Sequence, residues 1–226
     1  ENITRANLQT ITVEVEDFNF EDLGNFLEVT SYIQLAAEPL LASIQEIQIK
    51  NEKIYIHDKF ARIICYDMQG KMIFKIDAKG AGPGEYTDVN TFVINEQSRE
   101  LIIYDNHKQS LLFYNADNGI FFKTQKLVKP DPTAMASLGG VYYYDNRYHS
   151  NYPNDTDLYY SLLVSKNAMT MDRHYFPHND AESSYRFRPT RQPFSYNDSV
   201  LYYCRNFDNV IYELNPDSLK ALYKIM

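Results

Sequence analysis

Ile54-Tyr55-Ile56-His57-Asp58 is an apolar and aromatic run that recurs along the chain. Its copies are Leu101-Ile102-Ile103-Tyr104-Asp105, Val141-Tyr142-Tyr143-Tyr144-Asp145 and, less closely, Leu201-Tyr202-Tyr203-Cys204-Arg205. Branched and aromatic residues favour β-strands, and each run has the length of one strand that ends at a polar residue. The chain is therefore predicted to repeat one β-strand unit four times.

The spacing of the repeats indicates the fold class. A second short run follows every copy, at 61–66, 110–114, 159–164 and 209–214, and leads into a turn. The copies are 47, 40 and 60 residues apart, and a propeller blade takes about 40 to 50 residues. We predict an all-β chain, a β-propeller of four-stranded antiparallel blades. Polar stretches at 148–157 and 173–188 lack strand periodicity and are predicted to be inserts that lengthen the third interval.

The same pattern gives the predicted boundaries. Blades are expected near residues 43–79, 88–127, 134–176 and 190–226, within a propeller domain of residues 28–226. The innermost strand of the first blade is predicted at 44–50. Residues 1–27 are predicted to be a separate segment with a strand at 11–16, and a weaker strand is predicted at 28–35.

Composition narrows the classes of function. The 226 residues are 44% hydrophobic and 23% charged, as in folded proteins. A formal net charge of -8 argues against nucleic acid and anionic membranes as partners. No stretch approaches the roughly 18 apolar residues of a transmembrane helix. The start at Glu1 is interpreted as a mature or trimmed chain.

One loop, Lys79-Gly80-Ala81-Gly82-Pro83-Gly84-Glu85-Tyr86, carries a family resemblance. Together with the strand 54–58 and the turn 66–71, it resembles the six-bladed β-propeller proteins of gut Gram-negative anaerobes, which are relatives of the NHL-repeat propellers. The resemblance covers roughly residues 28–226. It implies export to the periplasm, often as a lipoprotein at the outer membrane, and it implies six blades where four repeats are visible. A partial propeller would expose blade edges, so self-association is predicted.

The loop also has a chemical interpretation. No helix follows it, so it is predicted to be a crossover between blades rather than a phosphate-binding loop. Glu85 and Tyr86 are expected to anchor it to the neighbouring blade. The two cysteines, Cys65 and Cys204, are predicted to be free buried thiols on separate strands, with a disulfide as the alternative.

Residues at the strand ends are the main candidates for a ligand site. If the repeats are equivalent, symmetry would gather these residues on one face of the ring, where aromatic and polar groups could bind a sugar. The candidates are His57, Asp58, Tyr104, Asp105, Tyr144 and Asp145. The alternative is that the aspartates cap turns.

A second candidate surface combines Arg186 and Arg188 with Tyr185 and Phe187, which are interleaved with them. It could contact an anionic sugar or a carboxylate of a partner. The alternative is a solvated strand edge with cation-π packing.

No catalytic motif is present, and no catalytic residue, metal or cofactor is predicted. His174 and His178 have helical metal-ligand spacing, but Pro177 breaks the helix that such a site needs. We predict an exported, non-catalytic propeller that acts as a binding or assembly module at the cell envelope, with a glycan or a partner protein as its ligand. The alternatives are a carbohydrate-active lyase or hydrolase that uses the channel face, and a structural fragment whose missing blades carried the function.

Overall fold

Each copy of the repeat forms the second strand of a four-stranded antiparallel sheet. The computed structural model describes residues 3–5, 8–12, 28–127, 129–146, 159–178, 192–197, 199–205 and 208–226. In these ranges the chain forms four such sheets, the blades of a propeller, whose strands pair in chain order. The predicted all-β propeller is confirmed, with four blades rather than the six that the resemblance implied.

Two short strands, β1 (Ile3–Thr4) and β2 (Gln9–Ile11), precede the blades. Blade 1 consists of β3 (Ile44–Lys50), β4 (Lys53–Asp58), β5 (Ile63–Asp67) and β6 (Met72–Ile76). Blade 2 consists of β7 (Thr91–Asn95), β8 (Glu100–Asp105), β9 (Ser110–Asn115) and β10 (Phe121–Lys126). Blade 3 consists of β11 (Pro132–Leu138), β12 (Val141–Asn146), β13 (Tyr160–Ser165) and β14 (Arg173–Pro177). Blade 4 consists of β15 (Phe194–Asn197), β16 (Val200–Cys204), β17 (Val210–Asn215) and β18 (Ser218–Ile225).

The N-terminal strands belong to the sheet of blade 4. Both β1 and β2 pair in parallel with β18, the outermost strand of that blade. The strand predicted at 11–16 therefore begins at Gln9, and residues 13–16 lie outside the described ranges. Because the chain later leads through residues 28–43 into blade 1, its N-terminal part contacts both the last blade and the first.

Apolar and aromatic side chains join consecutive blades. One cluster packs Tyr55 and Phe74 of blade 1 against Phe92 of blade 2. A second joins blades 2 and 3, and a third packs Phe176 of blade 3 against Tyr203 of blade 4. Burial of a side chain of this size contributes about 2 kcal/mol, so these interfaces stabilise the stack of blades.

The far face of blade 1 is covered differently. Its two middle strands, β4 and β5, bury Ile56 and Tyr66, and the segment before the blade covers them through Leu35 and Leu41. Within the described ranges, no buried cluster joins blade 4 to blade 1.

In each of the first three blades, a side-chain oxygen at the end of the second strand accepts a hydrogen bond from the segment that precedes the blade. This bond fixes the segment to the blade. Asp58 accepts the N–H of Ala42 at 3.2 Å, and Asp105 accepts the N–H of Thr87 at 2.6 Å. In blade 3 this acceptor is Asn146, which binds the N–H of Asp131 at 3.0 Å. We call these three residues the blade clamps.

The pairing register shows that the third repeat is shifted by one residue. The two-residue hairpins of blades 1 and 3 close at the pairs Lys50–Lys53 and Leu138–Val141. Val141 is therefore equivalent to Lys53, and Asn146 rather than Asp145 is equivalent to Asp58. Asp145 instead faces blade 4, because successive residues of a strand point to opposite faces.

Two sequence predictions about strands are wrong. No strand forms at 28–35. This segment is held instead by the packing of Leu35 and, just after it, by a hydrogen bond from the Ala36 N–H to the Gly70 carbonyl at 2.8 Å. Residues 173–177 are not an insert but the outer strand β14, because Tyr175 and Phe176 pack into the interface with blade 4.

The loop and cysteine predictions are partly confirmed. Residues 80–86 cross from blade 1 to blade 2, and the Tyr86 hydroxyl donates to the carbonyl of Ala61 at 2.7 Å. The Glu85 carboxylate accepts the N–H of Gly82 within the loop, and the Glu85 carbonyl accepts a hydrogen bond from the Lys108 ammonium of blade 2 at 2.7 Å. Both cysteines are free, but only Cys65 is buried. Cys204 is exposed because it lies on the face of blade 4 that is turned away from blade 3.

The blade clamps predict a specific stability pattern. Asp105→Ala leaves the N–H groups of Thr87, His107 and Lys108 without their acceptor, and we expect a loss of about 3 kcal/mol in urea unfolding. Asp105→Asn keeps an acceptor, as Asn146 does in blade 3, and should cost about 1 kcal/mol. Asp67→Ala, which removes a cap on a surface turn, is the matched control at about 1 kcal/mol or less. Equal losses in both alanine variants would contradict the clamp role.

Candidate functional site

The six strand-end candidates are all buried. Asp58 and Asp105 act as blade clamps and also cap the turns that follow them. The hydroxyl of Tyr144 donates to the carbonyl of Ala168 at 2.8 Å, and that of Tyr104 donates to Asp131 at 3.2 Å. Their role in binding a ligand remains a prediction, as does that of Arg186 and Arg188, which lie outside the described residues.

Asp145 joins blades 3 and 4. Its carboxylate accepts hydrogen bonds from Thr133 (2.5 Å) and from the Tyr203 hydroxyl (2.8 Å). Burial raises the pKa of Asp145 to about 6, although these hydrogen bonds and the charge of Arg205 favour the ionised form.

A cavity of about 550 Å³ lies where the inner strands of the blades approach one another, and we call it the axial cavity. Strands β3, β11 and β15 supply most of its wall, and Glu96 follows the inner strand of blade 2. One side of β3 is polar and the other is apolar, because its residues alternate between its two faces. The cavity lining includes Glu46, Ile47, Gln48, Ile49, Lys50, Glu96, Gln192 and Tyr196.

Glu46 is the most perturbed carboxyl of the cavity. Its side chain is only partly exposed, and burial raises its pKa to about 7. Hydrogen bonds from Gln48 and from the backbone of Phe92 lower the pKa, but their effect is smaller. The Gln48 amide donates to Glu46 at 2.8 Å and to the carbonyl of Phe92 at 2.7 Å. Burial therefore favours the neutral form of Glu46 more than water does.

Lys50 supplies the positive charge of the cavity. Burial lowers its pKa, and the carboxylate of Glu96 at 3.5 Å opposes that effect. The ammonium group also lies 3.4 Å from the centre of the Tyr196 ring, so a cation-π contact joins blade 1 to blade 4. The Tyr196 hydroxyl in turn bonds both the N–H and the C=O of Ser137, at 3.0 Å each.

The sequence analysis missed this cavity, although one pattern could have indicated it. Strand β3 was predicted with the correct bounds, and Glu46, Gln48 and Lys50 alternate along it. Inner strands line the propeller axis, so polar side chains at every second position predict a polar surface there. The contributions of Glu96 and Tyr196 come from other blades and depend on the ring geometry.

Two further features of the described residues bear on function. No three His, Cys, Asp or Glu side chains among them are arranged to hold a metal ion. None of these residues forms a helix with the length and apolar character that a membrane crossing needs.

Similarity to known proteins agrees with the fold. The family model described as Domain of unknown function (DUF4934) matches residues 8–226. The chain is similar to a protein of Bacteroides fragilis NCTC 9343 whose name suggests export, with a TM-score of 0.75 and 17% identity over 97% of this chain and 60% of that chain. It is also similar to a DUF4221 family member of Bacteroides vulgatus ATCC 8482, with a TM-score of 0.52 and 12% identity over 84% of this chain and 60% of that chain.

These similarities extend to the fold alone. No functionally curated protein matches the chain. The chain spans less than two thirds of the length of both similar structures.

The raised pKa of Glu46 predicts how stability depends on pH. The folded state binds this proton more tightly than the unfolded state, whose carboxyl titrates near 4.5. The contribution is therefore complete below about pH 4.5 and is lost as the pH rises to about 7. Glu46→Gln should gain roughly 1 to 3 kcal/mol relative to the wild type between pH 4.5 and pH 8, measured by urea unfolding. Glu52→Gln, on the same hairpin, is the matched control, and a gain independent of pH would contradict the assignment.

Proposed function

The chain belongs to the family described as Domain of unknown function (DUF4934), and we propose that it is a non-catalytic propeller that binds a ligand in its axial cavity. One observation carries the proposal: the inner strands border an open cavity of about 550 Å³ that is lined by charged, amide and aromatic groups. Ligand sites in proteins have this size and this mixture of apolar walls with a few polar groups.

The desolvated charges of the cavity support a binding role. Partial burial of Glu46 and Lys50 costs free energy, as their shifted pKa values indicate. Apolar residues would fill the axis at lower cost, and perturbed charged groups cluster at functional sites. Glu96 already neutralises Lys50, so the charge of Glu46 is the one that a bound ligand would compensate.

The chemistry of the walls is compatible with two ligand classes. Tyr196 and Phe194 offer rings on which a sugar could stack, and Gln192, Ser195 and Asn51 offer hydrogen bonds. The same groups, with the alternating side chains of β3, would also suit a segment of a partner protein. The ligand is therefore a glycan or a protein segment, and the strand-end residues remain a second, untested surface.

Location and assembly are part of the proposal. The name of the Bacteroides fragilis protein suggests export, and the six-bladed, NHL-like resemblance implies the periplasm or a lipoprotein at the outer membrane. We place the chain at the cell envelope on this basis, as a binding or assembly module. Self-association through exposed blade edges also remains a proposal.

The alternative is a carbohydrate-active lyase or hydrolase. A carboxyl whose pKa is about 7 suits general acid or base catalysis. If this alternative holds, Glu46→Gln abolishes turnover of a bound glycan, whereas in a binding module no turnover occurs and the substitution alters affinity alone.

Binding in the axial cavity can be tested by blocking it. The wild type is screened by thermal shift against glycan fragments and a linear heptapeptide library, because a ligand specific for the native state raises the melting midpoint. Gln192→Trp places an indole at the cavity wall, and we expect at least tenfold weaker binding of any ligand found. Gln69→Trp, at an exposed turn of blade 1, is the matched control and should bind as the wild type does. Equal affinity in both variants would place the site elsewhere, and no ligand from either panel would contradict the proposal.

A further inference from the structure

The inner strand of each blade has one unpaired edge, and the pairing register identifies the backbone groups that point from it. The pair Lys50–Lys53 closes a two-residue hairpin, in which Asn51 and Glu52 have φ of 49° and 54°. Such a closing pair is hydrogen-bonded, and bonded and non-bonded pairs alternate along an antiparallel ladder. Gln48 therefore bonds β4, whereas Ile47 and Ile49 point their N–H and C=O groups away from blade 1.

In each of blades 2 and 3 a neighbouring blade bonds the backbone groups at one of the two equivalent edge positions. Phe92 of β7 corresponds to Ile47, and its backbone bonds the side chains of Glu46 and Gln48. Ser137 of β11 corresponds to Ile49, and the Tyr196 hydroxyl bonds both of its backbone groups. These side chains leave the inner edges of β7 and β11 without free donors and acceptors at those positions.

The edge of β3 is not capped in this way. The backbone groups of Ile47 and Ile49 form no hydrogen bond with a described residue outside their own sheet. Their side chains are 45% and 59% exposed, whereas the equivalent Phe92 and Ile94 of blade 2 are 0% and 1% exposed. Both isoleucines also line the axial cavity. Strand β3 thus presents unused backbone bonds and exposed apolar side chains to the same space.

We propose that the free edge of β3 binds an extended peptide segment, which adds to blade 1 as a further strand inside the axial cavity. This inference rests on the proposed binding function and specifies its ligand as a protein segment rather than a glycan. Main-chain hydrogen bonds to Ile47 and Ile49 supply affinity, and alternating side-chain contacts supply specificity. A glycan has no regular series of amide groups with which to continue the ladder.

The two faces of β3 define the peptide that fits. Residues opposite one another on neighbouring strands lie on the same face, so every second peptide residue packs beside Ile47 and Ile49 and is apolar. The intervening residues lie on the face that carries Glu46, Gln48 and Lys50. Glu96 at 3.5 Å neutralises Lys50, whereas the hydrogen-bond partners of Glu46 are uncharged. Glu46 is therefore the charge that selects, and it favours a basic residue. The bound segment alternates apolar and basic side chains.

Hydrogen exchange on the wild-type chain tests this directly. In the free protein we expect the amides of Ile47 and Ile49 to exchange faster than those of Gln48 and Lys50, which bond β4. Heptapeptides enriched from the linear library should slow exchange at Ile47 and Ile49 at least tenfold. The same peptides with N-methyl groups at the pairing positions should not, because methylation removes the donors.

A backbone substitution provides the second readout. Ile49→Pro removes an edge donor that β4 does not use, and we expect at least tenfold weaker peptide binding, with Ile49→Val within about threefold of the wild type. The exchange measurement needs no substitution, so the test holds even if the proline variant fails to fold.

Several outcomes would overturn the inference. Enriched peptides that leave the Ile47 and Ile49 amides unchanged would do so, as would protection that appears without peptide at high protein concentration, which would indicate a second copy at this edge. A glycan could bind the wild type, lose affinity in Gln192→Trp and leave the Ile47 and Ile49 amides unprotected. That result would overturn the inference, and the proposed binding function would stand. If no peptide and no glycan binds, both proposals fail.

Discussion

The blade clamps are the contacts on which the arrangement of the propeller depends. In blades 1 to 3 a buried oxygen of Asp58, Asp105 or Asn146 fixes the segment that leads into the inner strand. Apolar packing between blades is strong but has no preferred direction, so it cannot set this approach alone. A hydrogen bond to a buried side chain is directional, and losing it leaves a donor unsatisfied. The clamps therefore position the inner strands around the axis, and the packing between blades stabilises that position.

The axial cavity follows from this geometry. Once the inner strands converge, side chains of one blade meet the backbone and rings of another: Gln48 reaches Phe92, and Lys50 lies against Tyr196. Each contact replaces water at a polar group, which explains why Glu46 and Lys50 have shifted pKa values without losing all exposure. Blade 1 differs from blades 2 and 3 because no side chain from the described residues caps the edge of its inner strand. The same strand is thus both a wall of the cavity and a source of unused backbone hydrogen bonds.

The repeat was readable from sequence because strand propensity and turn residues recur at a spacing that fits blades, and β3 was predicted with correct bounds. The register of the third copy was not readable, because Asp145 and Asn146 are both polar and only the hairpin closed at Val141 distinguishes them. Strand β14 was missed because its apolar residues, Tyr175 and Phe176, stand among polar ones. The site was missed for a different reason: Glu46 and Tyr196 are 150 residues apart, and only the ring geometry brings their blades together.

The axial cavity can serve as the binding site only if strands of several blades surround Glu46. The side-chain carboxyl carbon of Glu46 can be followed by NMR titration of the wild-type chain, with the resonance assigned by its loss in Glu46→Gln. We expect a titration midpoint near 7, because the surrounding strands exclude much of the water that would stabilise the carboxylate. A midpoint near the usual value of 4.5 would show that the inner strands do not enclose this group, and it would contradict the axial cavity as the binding site.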